Sequence, residues 1–324
     1  MKMLRHSALV FQIPNSAPGT PLLHCASRIV HCALILAALV VPAFSLQASS
    51  LSPGAGCYQY KDAETGKTLN VWYYKPAGFT PQTPVLIMMH GMSRKAESYR
   101  NSWVDYARDG NFMMLTPEFS NEDFPGDKAY NFGNVVLPGD KINAREKWTF
   151  MIVERIFDDF LKSREQTGAR QYYLYGHSAG AQFAHRFLLF VPEARVKLAV
   201  CANAGSYTLP NPNDNWPWGL KGSGLTENSV RRYLSVPMVI LLGENDIDPK
   251  DRMLSRGKNV DRQGVTRVAR GVHFFNYGQA AAEKLNTPFG WKIRFIPGAP
   301  HGGPLIHAAA AKIFAADINA NPSQ

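Results

Sequence analysis

A serine flanked by two glycines follows an apolar run near the middle of the chain. Gly176, Ser178 and Gly180 form a Gly-x-Ser-x-Gly pattern, and a stretch of helical character comes directly after it. Between a strand and a helix, this pattern forms a sharp, strained turn that exposes a nucleophilic serine. We therefore predict Ser178 as a nucleophile and the Ala179 N–H as a donor to an oxyanion. Alone, the pattern is weak, because glycine and serine are common in ordinary turns.

Two later segments supply the partners that a nucleophilic serine needs. A serine hydroxyl is a weak nucleophile unless a base removes its proton, and a carboxylate orients that base. His301 follows the last apolar run, and Asp246 follows the run before it. We predict His301 as the base and Asp246 as the orienting acid, with Asp248 as the alternative acid. The order serine, acid, histidine is one of those known for such triads.

An earlier apolar run offers a second donor for the oxyanion. It ends in Met89-His90-Gly91-Met92, where a His-Gly pair lets the backbone turn toward a substrate carbonyl. We assign this donor to the Met92 N–H. Four features in the correct order, each at the end of a predicted strand, favour a catalytic site over a structural turn in an inactive protein.

Short apolar runs alternate with longer amphipathic stretches along the chain. Continuous apolar runs are typical of strands that are buried on both faces. The alternation predicts an α/β fold with a mostly parallel central sheet and helices on both faces, in which ligands bind beyond the carboxyl ends of the strands. The predicted strands are 85–89, 112–115, 172–175, 198–202, 238–242 and 291–296, and the predicted helical stretches are 148–160, 179–191, 280–285 and 306–315.

The N-terminal region has the pattern of a secretory signal. Residues 1–48 contain three basic residues, no acidic residue and the apolar run 33–44, which is too short to span a bilayer. We predict cleavage after Ala48, with Ser49 and Ser50 as alternatives, and a periplasmic or secreted protein. A membrane anchor is the competing interpretation. Residues 49–324 would then form a single catalytic domain.

Charge and cysteine content narrow the possible partners. Without residues 1–48 the chain keeps 32 basic and 25 acidic residues, a net charge of +7, which favours anionic partners. Cys57 and Cys201 remain. An oxidising compartment permits a bond between them, but the apolar surroundings of Cys201 also fit a buried free thiol. The sequence has no cluster with metal-ligand spacing and no phosphate-binding or dinucleotide-binding loop, so we predict no metal and no cofactor.

With these residues identified, the chain resembles the α/β-hydrolase superfamily and, within it, the polyhydroxybutyrate-depolymerase-like esterases. This resemblance implies an α/β-hydrolase fold and a serine hydrolase. It also implies an aromatic segment in which Tyr207, Trp216 and Trp218 either line the cleft or pack its wall. Met92 stands where the family often has cysteine, which a backbone donor tolerates. The resemblance rests on residues 89–92, 176–180, 207–210, 216–219, 243–246, 267–271 and 298–301.

A basic segment follows the predicted acid. Within residues 250–270, only Asp251 and Asp261 oppose seven basic side chains. Such runs are usually solvated faces. Alternatively, because the segment leaves the sheet on the side of the site, its arginines bind substrate carboxylates, and we select Arg252 and Arg256 as candidates. The seven basic residues are Lys250, Arg252, Arg256, Lys258, Arg262, Arg267 and Arg270.

Three functional hypotheses follow from these features. The first is an exported hydrolase that cleaves a soluble anionic polymer, with poly(aspartic acid) as the best candidate because bacterial poly(aspartic acid) hydrolases also resemble the depolymerases. The second is a carboxylesterase acting on oligomeric hydroxyalkanoates or short-chain esters. The third is an inactive binding protein with a hydrolase fold. We expect no separate polyester-adsorbing domain, no nucleic-acid partner and no membrane attachment after removal of the signal.

Overall fold

A single large sheet forms the centre of the structure. The computed structural model describes residues 50–165 and 167–320, without the side chain of Ser163. Residues 1–48, with the predicted signal, lie outside this range. The strands within it are β1 (Gly54–Lys61), β2 (Thr68–Lys75), β3 (Val85–Met89), β4 (Met113–Pro117), β5 (Val136–Leu137), β6 (Lys141–Ile142), β7 (Tyr172–His177), β8 (Val196–Ala202), β9 (Met238–Gly243) and β10 (Trp291–Ile296).

The order and direction of the strands confirm the predicted fold class. The eight-stranded sheet runs β1-β2-β4-β3-β7-β8-β9-β10, and the short strands β5 and β6 pair separately. From β4 to β10 all neighbours are parallel, while β1 and β2 are joined antiparallel at one edge. The apolar runs found β3 and β10 with their observed bounds. The strand β1 lies at an edge of the sheet and its residues alternate in burial, so it contains no continuous apolar run by which the sequence could reveal it.

Helices cover both faces of the sheet, as parallel strands require. The α-helices are α1 (Ala96–Asp109), α2 (Gly126–Ala129), α3 (Thr149–Asp159), α4 (Ala179–Phe190), α5 (Glu227–Ser235), α6 (Lys258–Asp261), α7 (Arg267–Leu285) and α8 (Pro304–Ala320). A 3-10 turn (Arg145–Lys147) precedes α3, and a π-helical turn (Phe160–Arg164) follows it. Among the described residues no helix is both long and apolar enough to cross a membrane.

Two apolar clusters, one on each face, hold the helices to the sheet. Trp103 of α1 and Phe314 of α8 pack on one face. Residues of α3, α4, α5 and α7, including Phe183, pack on the other. Every residue of α4 is buried, so the helix that begins at the predicted nucleophile is fixed on all sides.

The parallel arrangement brings the predicted site residues to one edge of the sheet. β3, β7, β9 and β10 all point the same way, and Met92, Ser178, Asp246 and His301 follow their carboxyl ends. The cysteines do not take part: Cys57 is exposed on β1, Cys201 is buried in β8, and both are free. A disulfide between them is therefore absent.

Removal of the Phe183 ring should destabilise the whole fold. Phe183 is fully buried and contacts the rings of Phe119, Tyr130 and Phe150. We expect Phe183→Ala to lower the free energy of unfolding by about 3–5 kcal/mol, measured by urea denaturation. As a control, Phe295→Ala truncates a ring that is 43% exposed and should cost much less. Equal losses in the two variants would contradict this account of the core.

Candidate active site

The turn at Ser178 has the strained geometry expected of a nucleophile elbow. Ser178 lies at φ 56° and ψ −117°, a region that non-glycine residues rarely occupy, and its N–H donates to the Ala202 carbonyl at 2.9 Å. A Cβ at Gly176 would come within 2.2 Å of the Gly180 oxygen, and one at Gly180 within 2.0 Å of the Met89 oxygen. Both glycines are thus required by close backbone approach, which explains the Gly-x-Ser-x-Gly pattern.

A chain of hydrogen bonds joins Ser178, His301 and Asp246. His301 Nε2 lies 3.1 Å from Ser178 Oγ, and His301 Nδ1 lies 2.7 Å from Asp246 Oδ2. The carboxylate can only accept, so a neutral imidazole carries its proton on Nδ1 and accepts the serine proton on Nε2. The structure therefore brings together the three residues selected from the sequence. The alternative acid, Asp248, is exposed, and its Oδ1 accepts from the Lys250 N–H instead.

Two buried side chains that the sequence analysis did not select hold the His301 backbone. The His301 carbonyl accepts from His177 Nε2 at 2.6 Å and from Asn203 Nδ2 at 2.7 Å. Asn203 Oδ1 accepts from the Gly243 N–H at 2.9 Å, which ties the same loop to β9. A Cβ at Gly243 would lie 2.5 Å from the Ala299 oxygen. Their positions in the sequence could have identified them, since His177 lies within the elbow and Asn203 follows directly after β8.

His177 donates to this carbonyl as a neutral ring. Burial and, to a smaller extent, the neighbouring His301 lower the pKa of His177 to about 3. Because Nε2 faces a carbonyl, Nδ1 is the accepting nitrogen, and Tyr99 Oη donates to it at 2.9 Å. The His177 ring also packs 4.8 Å from the His301 ring. His177 thus supports the proposed base without carrying charge near neutral pH.

The loop after β3 lies against the nucleophile. A Cβ at Gly91 would be 3.7 Å from the Ser178 Cβ. His90 fixes this loop, because its Nε2 accepts from the Phe119 N–H at 3.0 Å and its carbonyl accepts from Tyr130 Oη at 2.6 Å. The Met92 N–H donates to no acceptor among the described residues. The Ala179 N–H, at the start of α4, has no acceptor within the helix. Both remain available to a ligand oxygen.

The three aromatic residues selected from the sequence are packed to different degrees. Tyr207 is fully buried and stacks on Phe274 at 4.4 Å, so it serves packing rather than direct contact with a substrate. Trp216 and Trp218 are partly exposed and both contact the Phe132 ring. The two tryptophans keep exposed surface that a ligand can reach.

Most arginines of the basic segment have partners within the fold. Arg270 is fully buried and donates to three backbone carbonyls and to Asp261, and Arg262 pairs with Asp214. Arg256, one of the two selected candidates, donates to the Val265 carbonyl at 3.2 Å and lies 3.8 Å from Asp261. Its charge is therefore partly neutralised.

Three cations of this segment remain free to meet a substrate. The side chains of Lys250, Arg252 and Lys258 are exposed and form no hydrogen bond or ion pair with other residues in the described part of the chain. Arg252 thus retains the properties for which it was selected. The basic segment therefore contains both arginines that bind other parts of the fold and surface cations that have no partner among the described residues.

A polar cluster buried beside α4 was not anticipated. Arg186 is fully buried, stacks 4.7 Å from the Phe132 ring and donates to Thr208 Oγ1 at 2.9 Å. Gln182 Oε1 accepts from Asn131, Arg186 and Ser206. Burial lowers the pKa of Arg186 to about 9. The cluster joins the first turns of α4, which begins directly after Ser178, to the segment after β8.

The described residues offer no obvious place for a metal ion. No group of three or more His, Cys, Asp or Glu side chains suited to metal binding occurs among them. A cavity of about 770 Å³ lies between the 210–227 segment and the C-terminal half of α7, and none of the triad residues lines it. The chemistry available at the sheet edge is that of a serine, an imidazole, a carboxylate and two backbone donors.

Comparison with solved structures defines the class of the protein. Poly(aspartic acid) hydrolase-1 from Sphingomonas sp. KT-1 is 40% identical, with a TM-score of 0.79, over 81% of this chain and 99% of that one. LpqC, a poly(3-hydroxybutyrate) depolymerase from Bordetella parapertussis, is 34% identical, with a TM-score of 0.77, over 81% and 89%. An S-formylglutathione hydrolase from Agrobacterium tumefaciens, 15% identical with a TM-score of 0.53 over 83% and 95%, shares the fold.

These likenesses identify an α/β-hydrolase that acts as a serine hydrolase. The chain belongs to the polyhydroxybutyrate-depolymerase-like esterase group of this superfamily, as its motifs predicted. No protein-family profile and no curated protein sequence matches the chain.

A methyl group at Gly243 should displace the loop that carries His301. The added Cβ would meet the Ala299 and Pro300 oxygens at 2.5 and 2.6 Å, and these residues directly precede His301. Since small misplacements of a reacting group cost about a hundredfold in rate, we expect Gly243→Ala to lower kcat/KM for a short-chain ester by roughly 10-fold to 100-fold. Gly168→Ala, where a Cβ meets nothing within 4 Å, should leave the rate unchanged. Equal rates in the two variants would contradict this role of Gly243.

Buried neutral histidines should make the protein less stable in mild acid. Burial lowers the pKa of His90 and of His307 to about 4. Below about pH 6.5 the unfolded chain binds protons that these folded-state rings refuse, so the free energy of unfolding decreases as the pH falls from 6.5 toward 4. We expect a shallower decrease in His307→Leu, measured by urea denaturation across this range. Parallel pH curves for the variant and the wild type would show that His307 has no part in it.

Proposed function

We propose that this serine hydrolase cleaves the backbone amide bonds of a soluble anionic polymer, with poly(aspartic acid) as its substrate. The observation that carries the proposal is the hydrogen-bonded chain from Ser178 through His301 to Asp246, in a protein 40% identical to a poly(aspartic acid) hydrolase along 99% of that enzyme. The exposed cations Lys250, Arg252 and Lys258, which have no partner among the described residues, support an anionic substrate.

The mechanism follows from the atoms at the edge of the sheet. His301 Nε2 takes the Ser178 proton as Oγ attacks the substrate carbonyl, and Asp246 holds the imidazole and stabilises the imidazolium. The Met92 and Ala179 N–H groups bind the developing oxyanion, which is worth roughly 3 kcal/mol for each donor. His301 then protonates the leaving amine. In the second half of the reaction, His301 takes a proton from water as the water attacks the acyl-enzyme, and it returns the proton to Ser178 Oγ as the acid product leaves.

A carboxylesterase acting on oligomeric hydroxyalkanoates or short esters is the second candidate. It is favoured by the 34% identity to a poly(3-hydroxybutyrate) depolymerase and by the partly exposed Trp216 and Trp218, whose surfaces suit an apolar chain. The same triad serves both reactions, because each passes through an acyl-enzyme. The two differ in the leaving group and in the need for cations beside the cleft.

Export of the protein is part of the proposal. It is supported by the basic flank, the short apolar run 33–44 and the small residue Ala48. N-terminal sequencing of the protein recovered from the periplasm or medium of a bacterial host tests it. A mature chain beginning at Ser49, or one or two residues later, supports the proposal, and a chain that keeps residues 1–48 contradicts it.

The substrate assignment is tested by following polymer length. We expect the purified protein to shorten soluble poly(aspartate) in size-exclusion chromatography, and Ser178→Ala to reduce the rate at least a thousandfold. Added salt should slow the cleavage, because it screens the surface cations. Intact poly(aspartate) beside rapid hydrolysis of a short ester would contradict the polyamide substrate and favour the esterase.

The contribution of the surface cations is tested with a matched pair of variants. Arg252→Gln should raise the KM for poly(aspartate) about threefold to tenfold and leave the cleavage of an uncharged ester unchanged. Arg108→Gln removes an exposed arginine at the end of α1, at the opposite edge of the sheet, and should change neither value. Equal KM values in the two variants would indicate that the basic segment is a solvated surface without a role in substrate binding.

A further inference from the structure

We propose that Arg267 is a positioning residue of the hydrolytic reaction and that, with Asp251, it sets the charge balance in which His301 acts as a base. The inference rests on the proposed role of His301. It concerns two residues that the triad itself does not include, and it assigns a purpose to a buried ion cluster behind the acid.

The cluster is defined by the second oxygen of the triad acid. Asp246 Oδ2 faces His301, while Asp246 Oδ1 accepts from an Arg267 terminal nitrogen at 3.1 Å. The same nitrogen bonds Asp251 Oδ2. The side chains of Asp246 and Arg267 are only 4% and 2% exposed, and that of Asp251 is 25% exposed. One arginine nitrogen thus bridges two carboxylates directly behind the imidazole.

The start of α7 holds Arg267 in this position. Arg267 is the first residue of the helix, and the Thr266 side chain caps it by accepting from the Ala269 N–H. Asp251 is held as well, because its Oδ1 accepts from the Met253 N–H at 2.7 Å. With both ends fixed, the bridge prevents the Asp246 carboxylate from rotating away from His301.

The cluster is not built for stability alone. Arg267 Nε is buried and has no acceptor among the described residues. A buried donor without a partner costs free energy, and a buried ion pair rarely stabilises a protein more than apolar packing does. Local arrangements that sacrifice stability are expected at functional sites. An arginine kept there at this cost points to a task beside Asp246.

The charges explain what that task is. With His301 neutral, Asp246, Arg267 and Asp251 together carry one negative charge, and protonation of His301 brings the cluster to zero. Removing Arg267 would leave two negative charges and favour the imidazolium. Removing Asp251 would leave none and disfavour it. The hydrogen bond from Arg267 lowers the pKa of Asp251, so this carboxylate stays ionised over the working range.

Other titratable groups around His301 do not carry the same effect. The His177 ring on β7 packs against the His301 ring, and His307 on α8 lies close enough to His177 to interact with it electrostatically. Burial keeps the pKa values of His177 and His307 at about 3 and about 4, so both are neutral above pH 5. The Tyr99 hydroxyl on α1 hydrogen-bonds to His177, and burial raises its pKa to about 12, so it is neutral as well. Glu244 and Asp248 lie on the same loop as Asp246 but are exposed, where water screens their charges. Arg267 and Asp251, with side chains 2% and 25% exposed, are therefore the two little-screened charges that act on the base together with Asp246.

The test measures how the acid limb of the pH profile moves. We expect Asp251→Asn to shift the acid limb of kcat/KM for an uncharged ester to lower pH, and Arg267→Gln to shift it to higher pH, each changing the rate on that limb about threefold to tenfold. The double variant should return toward the wild-type limb. Asp248→Asn, which removes an exposed carboxylate from the same loop, should shift the limb much less.

Shifts of the acid limb in opposite directions in the two variants indicate a charge effect. A loss of structure would lower the rate in both variants without shifting the limb in opposite directions. Unmoved limbs, or shifts of the same sign, would overturn the proposal. If circular dichroism shows that Arg267→Gln does not fold, the comparison of Asp251→Asn with Asp248→Asn decides alone, and equal limbs overturn it. Labelling by a fluorophosphonate probe keeps the two proposals distinct: labelling that persists in Ser178→Ala refutes the triad, whatever the limbs do.

Discussion

The two hydrogen bonds of the His301 ring are the contacts on which the site depends, because they join its own loop, after β10, to the Asp246 loop after β9 and to the Ser178 turn after β7. A parallel sheet brings these loops to one edge but does not by itself bring their side chains within hydrogen-bonding distance of one another. Two further devices do so: the His301 carbonyl is held by His177 and Asn203, and the absence of a side chain at Gly243 lets the loops touch. The catalytic geometry is thus set mainly by backbone contacts behind the reacting atoms.

The same principle governs the elbow and the loops around it. Gly176 and Gly180 allow α4 to start against β3 and β7, and the strained backbone at Ser178 is tolerated because α4 is buried on every side. Across the cleft, Arg270 holds the Gly205 carbonyl and Gln263 bonds both the N–H and the carbonyl of Tyr207. Buried polar side chains therefore take the place of regular secondary structure in holding the segment after β8.

Much of the fold could be predicted because buried parallel strands are continuous apolar runs, and the residues after them lie at the edge where α/β proteins bind ligands. The sequence pattern located Ser178, Asp246 and His301 in this way. It missed the antiparallel strands β1 and β2, because burial alternates along β1 and along the first part of β2, which leaves no long apolar run. It left two roles open for the basic segment, because sequence cannot tell that Arg267 and Arg270 turn inward. It also left two roles open for Tyr207, and stacking on Phe274 favours the packing role.

We propose that the serine hydrolase site, together with the exposed cations of the basic segment, cleaves an anionic polyamide through an acyl-enzyme on Ser178. This central claim is tested most directly by acid-quenching a reaction with poly(aspartic acid) oligomers and analysing the peptide that contains Ser178 by mass spectrometry. The account predicts an aspartyl acyl adduct on Ser178, absent from Ser178→Ala. Polymer shortening without any adduct on this peptide, and undiminished in Ser178→Ala, would contradict it.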